Sequence, residues 1–418
     1  MTGDAAAADV LLVAMSSRAL ADSALRAGFR PSTVDWFGDL DQKSRVANVA
    51  LGRDLGLPYS AAAAARCAAR LSARAVAYGA DLENHPAAVA RLARGRELLG
   101  NPPAVLRAVR DPERVFAALG AAGVPTPRTL ARRPAGGLPP GARWLRKPRA
   151  GGGGVGVALA SGAASRPRRA EVLQELLEGP SFSLAFLADG ARALPLALSL
   201  QLEEREAFGA APFAYCGSVS RLPEDIDTGS VREQAWRAAQ AVTRAFGLRG
   251  WNGMDFLLRR GEVVPLEVNP RHTSSMELWD EPRRPLFADH VRACRGSLEG
   301  DWPADGWLRA HAGTRGKAIL FARVSVRVGD SARWLELRGL RPAAASRARR
   351  PRGGAVASWP ESAVADLPHP GERIPAGRPV CTLFAAAPTA PLCVAALRQL
   401  AATVERDLEP EAATTPLS

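Results

Sequence analysis

Lysine is almost missing from this chain. Of 55 basic residues only Lys43, Lys147 and Lys317 are lysine, and the other 52 are arginine. A GC-rich genome produces that bias, so the net charge of +13 says little about nucleic acid. It does single out each lysine, because a compact ammonium is not interchangeable with a guanidinium fork. Cysteine is also sparse: Cys67, Cys216, Cys294, Cys381 and Cys393 are odd in number, scattered and without metal-ligand spacing. They suit a reducing compartment, the cytoplasm. No stretch approaches the roughly 18 apolar residues of a membrane helix. The apolar run Val10–Met15 follows Asp4 and Asp9 and not a basic segment, so it reads as a first buried strand instead of a signal peptide. Neither a P-loop nor the H-R-D and D-F-G sets of protein kinases occurs.

Two segments carry the chemistry. Lys147 precedes the run Gly151, Gly152, Gly153, Gly154, Val155, Gly156. This satisfies G-x-G-x-x-G, but a dinucleotide fold needs a helix directly after the loop. Val155–Ala160 is β-like instead, which predicts strand, loop and strand: a flap whose backbone N–H groups approach phosphate oxygens. The second segment is a hairpin, Met254–Leu258 and Val263–Val268, joined through Arg259, Arg260 and Gly261. A three-residue turn pairs Leu258 with Glu262 and Asp255 with Pro265, leaving Glu267 diagonal to Asp255 and Asn269 on the same face. Pro265 argues for an edge strand or a bulge. Asp255, Glu267 and Asn269 then offer three oxygen donors, suited to Mg²⁺ with waters and substrate phosphates.

Along the chain, residues 10–40 read as strand, helix, strand, and the alanine-rich run 58–78 as helix. Asn101-Pro-Pro103 marks a boundary, and Asp111 and Pro112 start a helix over 111–122. A Pro/Gly linker covers Pro134 to Gly141, and Arg166–Arg169 form a basic turn. Val172–Leu177, Phe182–Ala188 and Leu194–Leu202 are further strands, and 231–246 is a helix. Beyond 300, Lys317–Val326, Trp334–Leu337 and Val380–Phe384 are short β runs, followed by a helix over 390–407. The Arg341–Arg352 stretch lacks interleaved aromatics and reads as a solvated loop, so nucleic acid is not an expected partner.

These motifs resemble the ATP-grasp superfamily. Lys147 with Gly151–Gly156, the segment from Gln174 through Glu175, Leu176 and Leu177 to Gly179, and Asp255 with Glu267, Asn269 and Arg271 follow its order. The likeness is nearest a branch of predicted carboxylate–amine ligases related to biotin carboxylase, whose tail motif also resembles Asp366–Phe384. The resemblance implies an α/β and α+β protein. Its parts would be an N-terminal Rossmann-like domain (1–105), two ATP-grasp subdomains (106–173 and 174–295), a small β-rich C-terminal domain (296–408) and a tail (409–418). It implies that Lys147 contacts the α- and β-phosphates and that the glycine loop covers the β- and γ-phosphates. Gln174, Glu175, Leu176 and Leu177 would line the adenine hinge. Asp255, Glu267 and Asn269 would bind one or two Mg²⁺, and Arg271 would face the γ-phosphate or an acyl phosphate. Two departures stand out. Many members supply a second lysine before the linker, where only Arg110 or Arg114 is available here, and many place glutamate where Ser181 stands, near ribose.

The implied activity is an ADP-forming ligase acting through an acyl phosphate on small-molecule carboxylate and amine substrates. The specific hypothesis is the joining of glutamate in biosynthesis of a one-carbon coenzyme of the methanopterin or methanofuran type. The alternatives are a biotin-carboxylase-like carboxylase and an ATP-binding module whose catalysis has decayed. His272 is a candidate proton acceptor, with a structural loop histidine as the competing reading. Thr273, Ser274 and Ser275 are candidate substrate contacts that also simply build turns. A homo-oligomer is compatible with the sequence, which assigns no role to Lys317.

Overall fold

The computed structural model describes residues 8–131, 138–160, 170–282, 284–298, 313–337 and 362–411. The Arg166–Arg169 turn, the first half of the Pro134–Gly141 linker, the Arg341–Arg352 stretch and residues 412–418 lie outside them. The chain divides into two compact units. One comprises Met1–Gly38, Val46–Leu200 and Leu222–Ala310, and the other Asp39–Arg45, Gln201–Arg221 and His311–Ser418.

The first unit begins with a five-stranded parallel sheet in the order Ala47–Ala50, Pro31–Asp35, Ala8–Val13, Ala73–Tyr78, Glu97–Leu99. Val10–Val13 and Val76 are fully buried in it, as expected for parallel strands covered on both faces. The expected helix over 58–78 is corrected. Ser60 caps a helix that covers only Ala61–Ala68, and Ala73–Tyr78 is a strand pairing with Ala8–Val13. Alanine fits either periodicity, and the buried Val76 and Tyr78 decide for the sheet.

Helix Pro112–Ala121 starts at Asp111, whose carboxylate accepts from the Glu113 amide. A four-stranded antiparallel sheet follows in the order Thr129–Leu130, Glu171–Glu175, Trp144–Pro148, Ala158–Leu159. A longer antiparallel array runs Glu262–Asn269, Arg249–Arg259, Ser181–Asp189, Ala193–Gln201. Phe182, Leu184, Phe186, Met254 and Phe256 share a core with Val115 and Leu119 of the first helix and Val231, Ala235 and Val242 of helix Thr228–Phe246. Side chains alternate along a strand, so Ser183 and Asp255 lie on the opposite face.

Asn101 ties the parallel sheet to this array. Its side-chain amide donates to Asn252 Oδ1 at 2.9 Å and to the Pro270 carbonyl at 3.1 Å, while its Oδ1 accepts from the Arg249 amide at 2.8 Å. Tyr78 donates to the Asn101 carbonyl at 2.8 Å.

In the second unit, Gly217–Val219, Thr314–Phe321, Pro379–Ala387 and Val364–Ala365 form antiparallel pairs, and helix Ala390–Glu405 follows in sequence. Val326–Val328 pairs with Arg373–Ile374 and Leu408–Pro410. The expected strand at Trp334–Leu337 is corrected to a 3₁₀ turn, Ser331–Glu336, in which Trp334 is buried and its indole N–H donates to Asp407. Lys317 is buried, with its ammonium over the Phe384 ring at 5.8 Å. No helix among the described residues is long and apolar enough to cross a membrane.

His290, on helix Leu286–Cys294, supports the strand that leads into the hairpin. Its Nδ1 accepts from the Trp251 amide at 2.9 Å, its Nε2 faces the Leu99 carbonyl at 3.3 Å, and its ring stacks on Trp251 at 4.1 Å. Burial pushes its pKa down to about 3. The unfolded chain therefore takes up a proton below about pH 6.5 that the folded chain refuses. Stability is complete above that pH and declines as pH falls toward 3. Urea unfolding should show a loss of about 2–3 kcal/mol between pH 7 and pH 4.5 from this residue. His290→Gln should flatten that part of the profile.

Candidate active site

The hairpin brings its carboxylates closer than the three-residue turn implies. The loop has only two residues, Arg260 (φ +53°) and Gly261 (φ +82°), which pairs Arg259 with Glu262 and Leu258 with Val263. Two left-handed residues match the twist of the strands they join. The register then shifts between Asp255 and Phe256: Phe256 faces Pro265, whereas Asp255 faces Glu267. The diagonal arrangement is thus corrected to a directly opposed pair. A bulge absorbs Leu266 beside Pro265, on the strand that edges the array.

Asp255 and Glu267 are both desolvated, with opposite outcomes. Burial, and then the charge of Glu267, push Asp255 up to about 7. Burial would raise Glu267 too, but Lys147, Arg110 and the Asn269 amide outweigh it and hold the group below its ordinary value. Asn269 Nδ2 donates to both carboxylates, at 3.1 and 3.2 Å. Turning that amide over would present Oδ1 in place of the donor, the arrangement a cation requires. Two opposed buried carboxylates with a reversible amide fit Mg²⁺ well, since it takes few protein ligands and keeps its waters and phosphates. Ser183, which faces Asp255 on the neighbouring strand, donates a short hydrogen bond to Oδ1. Sequence reasoning missed it, although its two-residue step from Ser181 was visible.

Lys147 lies on strand Trp144–Pro148, diagonal to Gln174 across the pair Leu145–Gln174, and donates to Gln174 Oε1 at 2.9 Å. Burial lowers its pKa, Glu267 and Asp255 oppose that, and Arg110 adds to the lowering. The glycine run after it forms consecutive turns, with Val155 N–H donating to Gly152 O and Val157 N–H to Gly154 O. Gly153, Gly154 and Gly156 have φ of +60°, +74° and +79°, which extended backbone cannot supply. The expected strand Val155–Ala160 is therefore corrected to Ala158–Leu159 alone, and Val155 is 74% exposed at the tip of the loop.

Two arginines connect the loop to the hairpin. Arg110 donates to Gly151 O at 2.6 Å, to Val268 O at 3.0 Å and to Asn84 Oδ1 at 3.0 Å. It places a cation at the end of helix Pro103–Val109, beside the loop; Arg114 lies in the first turn of the next helix, Pro112–Ala121. Arg271 donates through Nε to Glu83 Oε1 at 2.6 Å and through Nη2 to Asn269 Oδ1 at 3.4 Å. A side chain at Gly152 would meet Arg271 Nη2 at 3.5 Å, so the loop backbone lies directly over that guanidinium.

The remaining candidates are spread around this centre. Glu175 pairs with Arg128 at 2.9 and 3.2 Å, and its amide and that of Leu176 donate to the Arg128 and Arg143 carbonyls. The next amide, that of Leu177, meets no backbone carbonyl among the described residues. Ser181 opens its strand opposite Leu257. His272 is buried with its ring edge-on to Trp251 at 4.9 Å. Thr273 and Ser275 share a hydrogen bond at 3.3 Å at the start of the turn Ser274–Trp279, where Thr273 is the N-cap.

A family profile described as an ATP-grasp domain matches residues 110–275, the segment that carries Lys147, the glycine loop and the hairpin. Residues 110–275 are an ATP-grasp domain. Solved structures extend the fold over nearly the whole chain. A 2-oxoglutarate carboxylase biotin carboxylase domain from Hydrogenobacter thermophilus, in complex with MgADP and bicarbonate, aligns with 97% of this chain and 91% of its own at 14% identity and TM-score 0.65. An L-amino acid ligase from Bacillus licheniformis aligns over 96% and 98% at 14% identity and TM-score 0.63. Pyruvate carboxylase T882A from Rhizobium etli aligns over 96% of this chain at 15% identity and TM-score 0.67, but this chain spans only 37% of it. No curated protein matches the sequence. The ATP-grasp fold accounts for the parallel sheet followed by antiparallel sheets.

Within this ATP-grasp domain and its N-terminal sheet, Glu83 is the residue most plainly overlooked. Its position is hidden in the sequence because Ala73–Tyr78 reads as helix there, whereas the end of a parallel strand is where ligand-facing loops occur. The opposite effects of burial on the carboxylate pair give a test. Without Mg²⁺, Asp255→Asn should stabilise the protein by about 1–2 kcal/mol by removing a like-charge repulsion. Glu267→Gln should destabilise it by about 1–3 kcal/mol, because it strips Lys147 and Arg110 of their partner. Thermal unfolding with and without Mg²⁺ checks both, and added Mg²⁺ should stabilise neither variant.

Proposed function

We propose that the chain is an ATP-dependent ligase that activates a small-molecule carboxylate as an acyl phosphate and joins it to an amine. The observation that carries this reading is the meeting of loop and hairpin. Arg110 bridges Gly151 and Val268, and Gly152 lies over Arg271, which itself reaches Asn269. A triphosphate at this junction meets backbone N–H groups from one side and charged side chains from the other. Most catalysis of phosphoryl transfer consists of such positioning and charge neutralisation.

In this reading Lys147 and Arg110 bind the nucleotide phosphates, and Asp255, Glu267 and Asn269 hold Mg²⁺, which neutralises charge on the phosphates. Arg271 steadies the γ-phosphoryl group as the substrate carboxylate attacks it and ADP leaves. The glycine loop excludes water from the acyl phosphate. The Leu177 amide and the Glu175 carbonyl receive adenine. The known fold mates include both an amino acid ligase and carboxylases, so the carboxylate–amine pair is the property to test. The narrower hypothesis, glutamate joined to an amine-bearing one-carbon coenzyme precursor of the methanopterin or methanofuran type, rests on the sequence resemblance.

ADP release screened against paired acids and amines tests the reading. ADP should form only when both members of a cognate pair are present, and Lys147→Ala should reduce it by about 100-fold or more. Bicarbonate-dependent ADP release without an amine would point instead to a carboxylase. Nucleotide binding with no ADP from any pair would point to a binding module.

A further inference from the structure

Glu83 is a buried carboxylate that the chemistry above leaves unused. It lies just beyond strand Ala73–Tyr78, whose neighbour is Ala8–Val13. Strand order reverses between these two strands, and open parallel sheets bind ligands outside the C-terminal ends of strands at such a point. Glu83 has 0% exposure, and only half of its carboxylate is accounted for. Oε1 holds Arg271, whereas Oε2 is buried without a hydrogen-bond partner. A buried carboxylate oxygen is costly to leave unsatisfied, and it can only accept.

A second polar group accompanies it. The Tyr59 hydroxyl is buried without a well-aligned hydrogen bond, and the Asp81 carboxylate lies beside it. Burial, then the carboxylates of Asp81 and Glu83, raise its pKa, so it is a neutral phenol that can donate or accept. An acceptor-only oxygen and a phenol near each other call for a ligand rich in N–H bonds. They do not suit a second carboxylate. The place is also right for chemistry: the Arg271 guanidinium links Glu83 to Asn269, and a side chain at Gly152 would meet Glu83 Oε1 at 3.9 Å as well as Arg271 Nη2 at 3.5 Å.

We propose that Glu83 Oε2 and Tyr59 Oη form the amine subsite, and that Glu83 removes the proton that must leave before the amine attacks. The inference rests on the ligase reading and names its nitrogen-side residues. An arriving ammonium gives one proton to Oε2, which frees the nitrogen lone pair. The lone pair attacks the carbonyl carbon of the acyl phosphate, the C–N bond forms, and the C–O bond to phosphate breaks. The extra proton left on nitrogen departs with phosphate, and Glu83 returns its own proton to solvent. The acceptor class is therefore a primary amine that enters as its ammonium.

Hydroxylamine separates this role from others, because it is already uncharged at neutral pH and needs no base. The full-length chain, supplied with MgATP and its carboxylate, should form hydroxamate with hydroxylamine and amide with its amine. In Glu83→Gln the ratio of amide to hydroxamate should fall about 100-fold. Its amide formation should also climb with pH up to the pKa of the free amine. Tyr59→Phe, a milder change that guards against misfolding of the first variant, should raise the KM for the amine about tenfold and leave the KM for the carboxylate alone. An unchanged ratio in Glu83→Gln, with both products reduced alike, would mean that Glu83 only holds Arg271 and would overturn the inference while sparing the ligase reading. Unaltered amine KM in Tyr59→Phe would overturn the shared subsite. Wild-type protein that makes neither product with any carboxylate would overturn inference and reading together.

Discussion

Two carboxylates buried face to face are the constraint on which this site depends. The bulge beside Pro265 puts Asp255 opposite Glu267, and no apolar neighbour relieves their repulsion. The protein offsets only part of it, with Lys147 and Arg110 acting on Glu267 and Ser183 and Asn269 on Asp255. Asp255 keeps a raised pKa despite these partners. A divalent cation accompanied by phosphate would complete the arrangement, because it draws both carboxylates into their charged forms at once.

The surrounding architecture serves to hold this pair beneath the glycine loop. The parallel sheet contributes Glu83 to Arg271, and through Asn101 it anchors Asn252 and Pro270 at the open end of the hairpin. His290 stacks on Trp251 of the first hairpin strand. Arg271 is consequently fixed by Glu83 at Nε and by the His272 carbonyl at Nη1, and a guanidinium held this way needs little reorganisation when charge develops beside it.

Much of the candidate site could be assembled from sequence because its residues lie in short, patterned segments. The glycine run, Lys147 and the alternation of Glu267 and Asn269 required only local rules. What escaped was set by geometry that spacing cannot encode. A two-residue turn with Arg260 in a left-handed conformation, compensated by a bulge, changed the partner of Asp255 from Pro265 to Glu267. Alanines at 73, 75 and 77 hid a strand inside an apparent helix and with it the position of Glu83. Ser183 and Arg110 acquired their partners across 72 and 158 residues of chain, distances over which no motif operates.

The central claim, that the opposed carboxylates hold a metal in contact with the phosphates of a nucleotide under the glycine loop, is tested most directly with Mn²⁺ in place of Mg²⁺. Titration of the protein with Mn²⁺–ADP, followed by the electron paramagnetic resonance signal of the ion, should show tight binding in the wild-type protein and sharply weakened binding in Glu267→Gln. Wild-type affinity retained in both Glu267→Gln and Asp255→Asn would place the metal elsewhere and contradict the account.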